Sequence, residues 1–257
     1  QYAHNLEIPV KFPEKLNTEN EYNFIKNLKA DIAVVVAYGK ILPKRFLDLP
    51  NTIFLNIHAS LLPKWRGAAP IQRSIMNMDK ETGISIMKIV EELDAGPLMK
   101  TAKIKIKKNT NTESLREDLS SISASTIIDC LDIIENNRQK FVSQDHSKAT
   151  YAKKIDKSEA KILWNNKAEN IIAKINGLYP DPGCWFKLNG SRIKILEAKE
   201  IKANGTPGKI IDEKFSIACL ENAVQILKLK KEGKNIMSAS DFLLGNKLKN
   251  GSKLDEI

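Results

Sequence analysis

Asn56 and His58 stand two residues apart at the end of an apolar run, Asn51-Thr52-Ile53-Phe54-Leu55. Residues two apart on an extended strand point to the same side. An amide and an imidazole would therefore look together out of one strand end. A strand that served only the core would not place two hydrogen-bonding side chains there. The amide is a fixed donor, and the imidazole can donate, accept or carry a proton. Residues 59–69 follow as a loop. Pro70 then suits the first turn of a helix that Ile71-Gln72-Arg73-Ser74-Ile75-Met76 continues. The stretch reads as strand, loop, helix. In a parallel sheet, ligands bind at the loop leaving a strand's carboxyl end.

Other elements must hold this stretch in place. Asp31-Ile32-Ala33-Val34-Val35-Val36 is a near-continuous apolar run, expected as a strand covered on both faces. Residues 37–43 are its exit loop. Residues 7–12 are expected as a short strand and 19–28 as a helix. Further strands are expected at 83–90 and 98–106, the second at a sheet edge, with Glu91-Glu92-Leu93-Asp94-Ala95-Gly96-Pro97 as the turn between them. Thr110 and Glu113 have capping-box spacing and open a long amphipathic helix reaching Asn136.

The pattern then changes. Residues 140–158 are polar and without clear periodicity, and read as a linker. Residues 165–177 make another helix, with Ile171, Ile172 and Ile175 on one face. Short strands are expected at 184–188, 192–199, 208–212, 215–219 and 223–230. Asn189-Gly190, Asn204-Gly205 and Pro207-Gly208 supply the turns. Such punctuation suggests a small OB-like barrel. Lys230-Lys231-Glu232-Gly233-Lys234 reads as a solvated turn. The expected architecture is α/β: a Rossmann-like parallel-sheet domain over residues 1–139, a linker over 140–158, and an OB-like β-barrel domain over 159–257.

Composition narrows the class. With 42% apolar and 28% charged residues, the chain is ordinary folded material. No apolar run approaches the roughly 18 residues of a membrane helix, and no signal peptide is visible, so a cytoplasmic location is expected. The chain opens Gln1-Tyr2-Ala3-His4, without a Met and in what reads as mid-helix. A leading segment is therefore expected to precede it. Cys130, Cys184 and Cys219 are odd in number, far apart and in no CxxC pair, as befits buried thiols in a reducing compartment. Three histidines make a multi-histidine metal site unexpected. Net charge is +10, most of it in residues 151–257. A basic second half suits an anionic partner such as nucleic acid, although a lysine-rich composition alone produces the same number.

The stretch Asn56-x-His58, with Ser60-Leu61-Leu62-Pro63 and a later Asp94, resembles the formyltransferases that use 10-formyltetrahydrofolate. Trp65-Arg66-Gly67-Ala68-Ala69-Pro70-Ile71-Gln72 narrows the resemblance to the methionyl-tRNA formyltransferases. Supporting segments run in order along the chain: Val36-Ala37-Tyr38-Gly39, Glu81-Thr82-Gly83, Leu93-Asp94-Ala95-Gly96, Thr150-Tyr151-Ala152-Lys153-Lys154 and Met237-Ser238-Ala239-Ser240-Asp241-Phe242. The family carries further residues ahead of this match, which include the first strands of the sheet and a basic loop that meets tRNA.

The resemblance implies formyl transfer from 10-formyltetrahydrofolate to the amino group of methionine on initiator Met-tRNA. An amine attacks a formyl carbonyl and a tetrahedral oxyanion forms. Fixed donors facing that oxygen are each worth about 3 kcal/mol. The attacking amine has a pKa near 8, so a useful fraction is neutral. It must lose a proton after attack, to a carboxylate-linked histidine or a water. The implied catalytic residues are Asn56 and His58 as donors and Asp94 as the group that orients and charge-stabilises His58. Ser60, Leu61, Leu62 and Pro63 would lie against the folate, and backbone near residues 36–38 would meet the pterin. No metal is expected, and the expected state is a monomer without a membrane partner.

Taken singly, each of these residues has an ordinary structural reading. An asparagine at a strand end caps or turns the chain, a strand histidine satisfies a neighbour, and an aspartate before Ala-Gly-Pro makes an Asx-turn. Their combination with the intervening loop carries the reading. Two alternatives use the same residues differently. One is a folate-dependent formyltransferase acting on a sugar nucleotide or glycinamide ribonucleotide. The other is a non-catalytic RNA-binding module in which the barrel does the work.

Overall fold

The computed structural model describes residues 2–246 and 248–254. A short helix α1 (Tyr2–Asn5) leads into coil, so the strand expected at 7–12 does not form. Helix α2 (Glu19–Asn27) starts where the Thr18 hydroxyl accepts the Glu21 amide. Next come β1 (Ile32–Val36), α3 (Lys44–Leu47), β2 (Ile53–His58), β3 (Arg66–Gly67), α4 (Pro70–Met76), β4 (Glu81–Lys88) and β5 (Leu98–Lys105). Helix α5 (Thr112–Glu135) begins one residue later than its expected capping box. Asn111, not Thr110, accepts the Ser114 amide, and the Ser114 hydroxyl answers the Asn111 amide. Thr110 instead accepts the Lys107 amide, which closes the preceding turn.

β6 (Tyr151–Ala152) is followed by α6 (Ala168–Gly177), β7 (Trp185–Leu188), β8 (Ser191–Ile201), β9 (Ser216–Ala218), β10 (Ala223–Lys231), β11 (Ile236–Ser238) and α7 (Ala239–Gly245). The expected strand at 208–212 is reduced to single bridges, Lys209 to Lys253 and Ile210 to Ile217. β11 was not among the expected strands. It is three residues long, too short for an alternation signal.

The first sheet has the order β1-β2-β4-β5. β1 and β2 run parallel, while β2–β4 and β4–β5 are antiparallel. On one face, Leu55 of β2 packs with Ile75 of α4 and Leu115, Leu119 and Cys130 of α5. On the other, Phe54 meets Phe46 of α3 and Leu49. Asn56 and His58 follow Phe54 on that second face, beyond the apolar plug. Among the described residues β1 is an edge strand, with Val34 and Val36 exposed rather than covered on both faces.

The second body is a curled antiparallel sheet, ordered β11-β10-β8-β7 with β9 on β10. α6 and the Phe186, Phe215 and Phe242 rings fill its core. A register shift in the β8–β10 pairing near Lys228 marks a bulge, which bends the sheet. α4 and α6 pack closely, and the Thr112 hydroxyl donates to Gly177 O at 2.6 Å.

One ion pair clamps the two bodies. The Arg73 guanidinium of α4 donates twice to the Glu159 carboxylate (2.7 and 2.9 Å) and also reaches Lys153 O and Lys154 O. The Arg73 hydrogen bonds hold the Glu159 carboxyl below its ordinary value, against the opposing effect of burial. A carboxyl lowered in the folded state stabilises the fold fully above its unfolded value, and the benefit is lost as pH falls through the folded value. Glu159→Gln is therefore expected to cost about 1 kcal/mol at neutral pH. Thermal unfolding of both proteins across a pH series should show that gap closing on the acid side of the ordinary carboxyl value of 4.5.

Candidate active site

The loop between β2 and α4 is built around His58, which is buried. Its Nε2 lies 2.8 Å from Trp65 O. A carbonyl only accepts, so the proton of the neutral ring sits on Nε2 and Nδ1 carries the lone pair. Trp65 is held for this purpose. Its φ of +61° lies in the left-handed region, its indole N–H donates to Asp79 at 2.7 Å, and its amide donates to the Thr150 hydroxyl at 2.9 Å.

Nδ1 faces Asp94 Oδ2 at 3.6 Å, and both side chains are nearly buried. Asp94 sits in the β4–β5 turn with φ +50°. Its Oδ2 also accepts the Gly67 amide at 2.8 Å. The carboxylate is thus aimed across the turn at the histidine. A proton arriving on Nδ1 would gain a close opposite charge in a poorly solvated place, where such attraction is strong. Asn56 lies two residues earlier on the same strand face, between Val35 of β1 and Met87 of β4. Its side-chain amide has no hydrogen-bond partner among the described residues, so its donors are available to a ligand.

The Ser60–Pro63 segment divides into two parts. The Ser60 hydroxyl is fully buried and donates to Lys64 O at 2.6 Å, which ties the loop to itself. Ser85 of β4 donates to Ser60 O (2.8 Å) and accepts the Leu62 amide (3.1 Å). Leu62 is buried with it, while Leu61 and Pro63 are partly exposed. What this loop offers outward is therefore Leu61, Pro63 and backbone. Ala37, in the exit loop of β1, has φ +48°, a conformation disfavoured for a residue with a Cβ and common at functional sites.

The polar segment expected as a linker is packed along this loop. β6 pairs with β3 in parallel, Arg66 opposite Tyr151 and Gly67 opposite Ala152. Arg66 N–H donates to Thr150 O, and Thr150 N–H donates to Pro63 O. Gly67, with φ +112°, lets the two backbones meet: a Cβ there would lie 2.9 Å from Ala152 O. Beneath this ladder the Arg66 side chain is 1% exposed. Its guanidinium donates to Gln144 Oε1 from Nε (3.2 Å) and Nη2 (2.9 Å), and to Glu92 Oε1 at 3.2 Å, with His146 Nδ1 at 3.4 Å. A charge this deep must be paired, and these acceptors pair it.

Gln144, Glu92 and His146 escaped the sequence reading. A signal existed for Gln144. Residues 140–158 contain no glycine or proline and include Phe141, Val142, Tyr151 and Ile155, whereas a mobile linker is rich in Gly, Ser or Pro. The three cysteines are buried, as expected. Burial pushes the Cys130 thiol up, and those of Cys184 and Cys219 up to about 12, which keeps them protonated and unreactive. Among the described residues no group of His, Cys, Asp and Glu has a metal-binding arrangement, and no helix is long and apolar enough to cross a membrane.

Two family models match the chain: formyl transferase over residues 9–131, and the formyl transferase C-terminal domain over residues 154–247. A methionyl-tRNA formyltransferase of Pelagibacter ubique is 45% identical over 257 residues, covering 99% of this chain and 83% of its own length. One from Bradyrhizobium diazoefficiens is 41% identical over 255 residues, covering 98% and 82%. Among solved structures, HypX from Aquifex aeolicus in complex with tetrahydrofolic acid aligns with a TM-score of 0.69 at 17% identity. That match covers 91% of this chain but 43% of the other. WlaRD, a sugar 3N-formyl transferase, aligns at 0.67 and 18%, covering 91% and 81%. At such identities these two speak to the fold.

Proposed function

We propose a reaction from one premise: the chain belongs to the formyl transferase family. The protein formylates the amino group of methionine carried on initiator tRNA, with 10-formyltetrahydrofolate as donor, in the service of translation initiation in the cytoplasm. The observation that carries this is the meeting of His58 with Asp94 of the β4–β5 turn, beside an Asn56 amide that has no hydrogen-bond partner among the described residues. The residues fit such a donor. An amide at a strand end, unpartnered among the described residues, and a partly exposed apolar loop edge at Leu61 and Pro63 suit a polar carbonyl on an aromatic folate.

The donor supplies a carbonyl carbon open to attack by an amine. Asn56 donates toward the oxygen on which negative charge builds, and a fixed donor in a dry site is worth about 3 kcal/mol there. The Nε2 proton of His58 is committed to Trp65 O. The free nitrogen, Nδ1, is therefore placed to take the proton that the attacking amine must shed, directly or through a water. Asp94 holds that proton in place by charge, while the Gly67 amide keeps the carboxylate from swinging away. The loop of residues 60–63 borders the folate, with Ser60 shaping it from within and Leu61 and Pro63 in contact. The excess positive charge of the second half suits the tRNA backbone, so binding should weaken steeply with salt. The working unit is a monomer, and no step calls on a metal.

The test is a substrate comparison. The full chain is incubated with formyl-folate and, separately, with initiator Met-tRNA, glycinamide ribonucleotide or an amino-sugar nucleotide. Formyl-methionine on tRNA is expected, with nothing on the other two. Formylation of either small acceptor without Met-tRNA would replace this reading with the alternative.

A further inference from the structure

We infer that Gln144 is a positioning residue for Asp94, an inference that rests on the reaction proposed above. Its side chain is buried in the segment joining the two bodies and bonds in two directions at once. Oε1 accepts from the Arg66 guanidinium at 2.9 and 3.2 Å. Nε2 donates to Asp94 O and to Gly96 O, each at 2.8 Å. The amide orientation follows from these partners: a guanidinium only donates and a carbonyl only accepts.

Asp94 has a left-handed backbone, φ +50°, which costs free energy unless the surroundings hold it. Two sets of bonds do so. The Gly67 amide fixes its carboxylate, and Gln144 fixes its carbonyl and that of the residue two further on. Arg66 and Gly67 are adjacent on β3. The same two-residue strand therefore grips Asp94 by both ends, directly through the Gly67 amide and through Gln144 from the Arg66 side chain. Removing the carbonyl bonds would let the turn relax and carry the carboxylate away from His58 Nδ1. A displacement near 1 Å in a catalytic arrangement costs about 100-fold.

Gln144→Glu separates this role from simple pairing of the buried arginine. The new carboxylate pairs with Arg66 at least as well, because a charged partner strengthens that bond. Its second oxygen, however, faces two carbonyls that need a donor. Gln144→Asn is a neutral companion that keeps the amide but falls one methylene short of the carbonyls. Both are assayed beside the wild-type chain for kcat and for KM toward folate and Met-tRNA. The expected result is a fall in kcat of about 100-fold for Gln144→Glu, with a similar direction for Gln144→Asn and both KM values within about 3-fold. Wild-type kcat in either folded variant would overturn the inference, and so would a loss confined to KM. Failure of the wild-type chain to formylate Met-tRNA would instead sink the reaction itself, so the two failures are distinguishable.

Discussion

Turnover in His58→Ala is expected to fall about 100-fold or more with the chain still folded, as loss of a positioned general base does. The ring has two tasks. Nε2 donates to Trp65 O, and Nδ1 faces Asp94 as the nitrogen able to receive a proton. Alanine abolishes the second task entirely. It also leaves the half-buried Trp65 O without its partner, a loss of about 1 kcal/mol. Trp65 keeps its bonds to Asp79 and Thr150, so the loop has other anchors. Single-turnover formylation at saturating folate reads the chemical step, and thermal unfolding reads the fold. Full turnover in the folded variant would remove His58 from the chemistry.

Gly96→Ala should be as damaging to activity and far more damaging to the fold than its size suggests. A Cβ at residue 96 would lie 1.8 Å from Lys88 O, which is backbone and cannot rotate away. Either the end of β4 or the turn must move. Overpacking of this kind costs about 1 to 3 kcal/mol. The turn is the softer choice, because β4 is held on both sides by β2 and β5. The Asp94 carboxylate would shift with it, for about 100-fold in kcat. Circular dichroism with kcat measurements would test this: unchanged kcat and unchanged melting would mean the turn tolerates the methyl.

The two variants probe different parts of one arrangement, and the sequence revealed those parts unequally. Asn56 and His58 are adjacent on one strand face because alternation is local geometry. Their common direction can be read from two letters two apart. Pro70 at the start of α4 and the apolar face of α6 are local in the same sense. The exposed faces of Val34 and Val36 could not be read that way, since an apolar run does not say what covers it. Nor could the cap of α5, where Asn111 and Thr110 are both able to cap and the turn at Lys107 uses Thr110.

By itself the sequence pointed, through its resemblance to the formyltransferases, to a class of chemistry and its candidate bearers: an amide, an imidazole, a later carboxylate and the loop between them. Strand alternation and helix starts, which depend on neighbours a few residues away, gave the shared direction of Asn56 and His58 and the start of α4. Only the tertiary structure decided which imidazole nitrogen is free, that Ser60 turns inward, and that residues 140–158 brace the site. Those outcomes depend on contacts such as Gln144 with Arg66 and Asp94, 78 and 50 positions apart in the chain. A hydrogen bond over such a separation leaves no periodic trace: the missing glycines and prolines of residues 140–158 signal that the segment packs, but not which partners Gln144 meets.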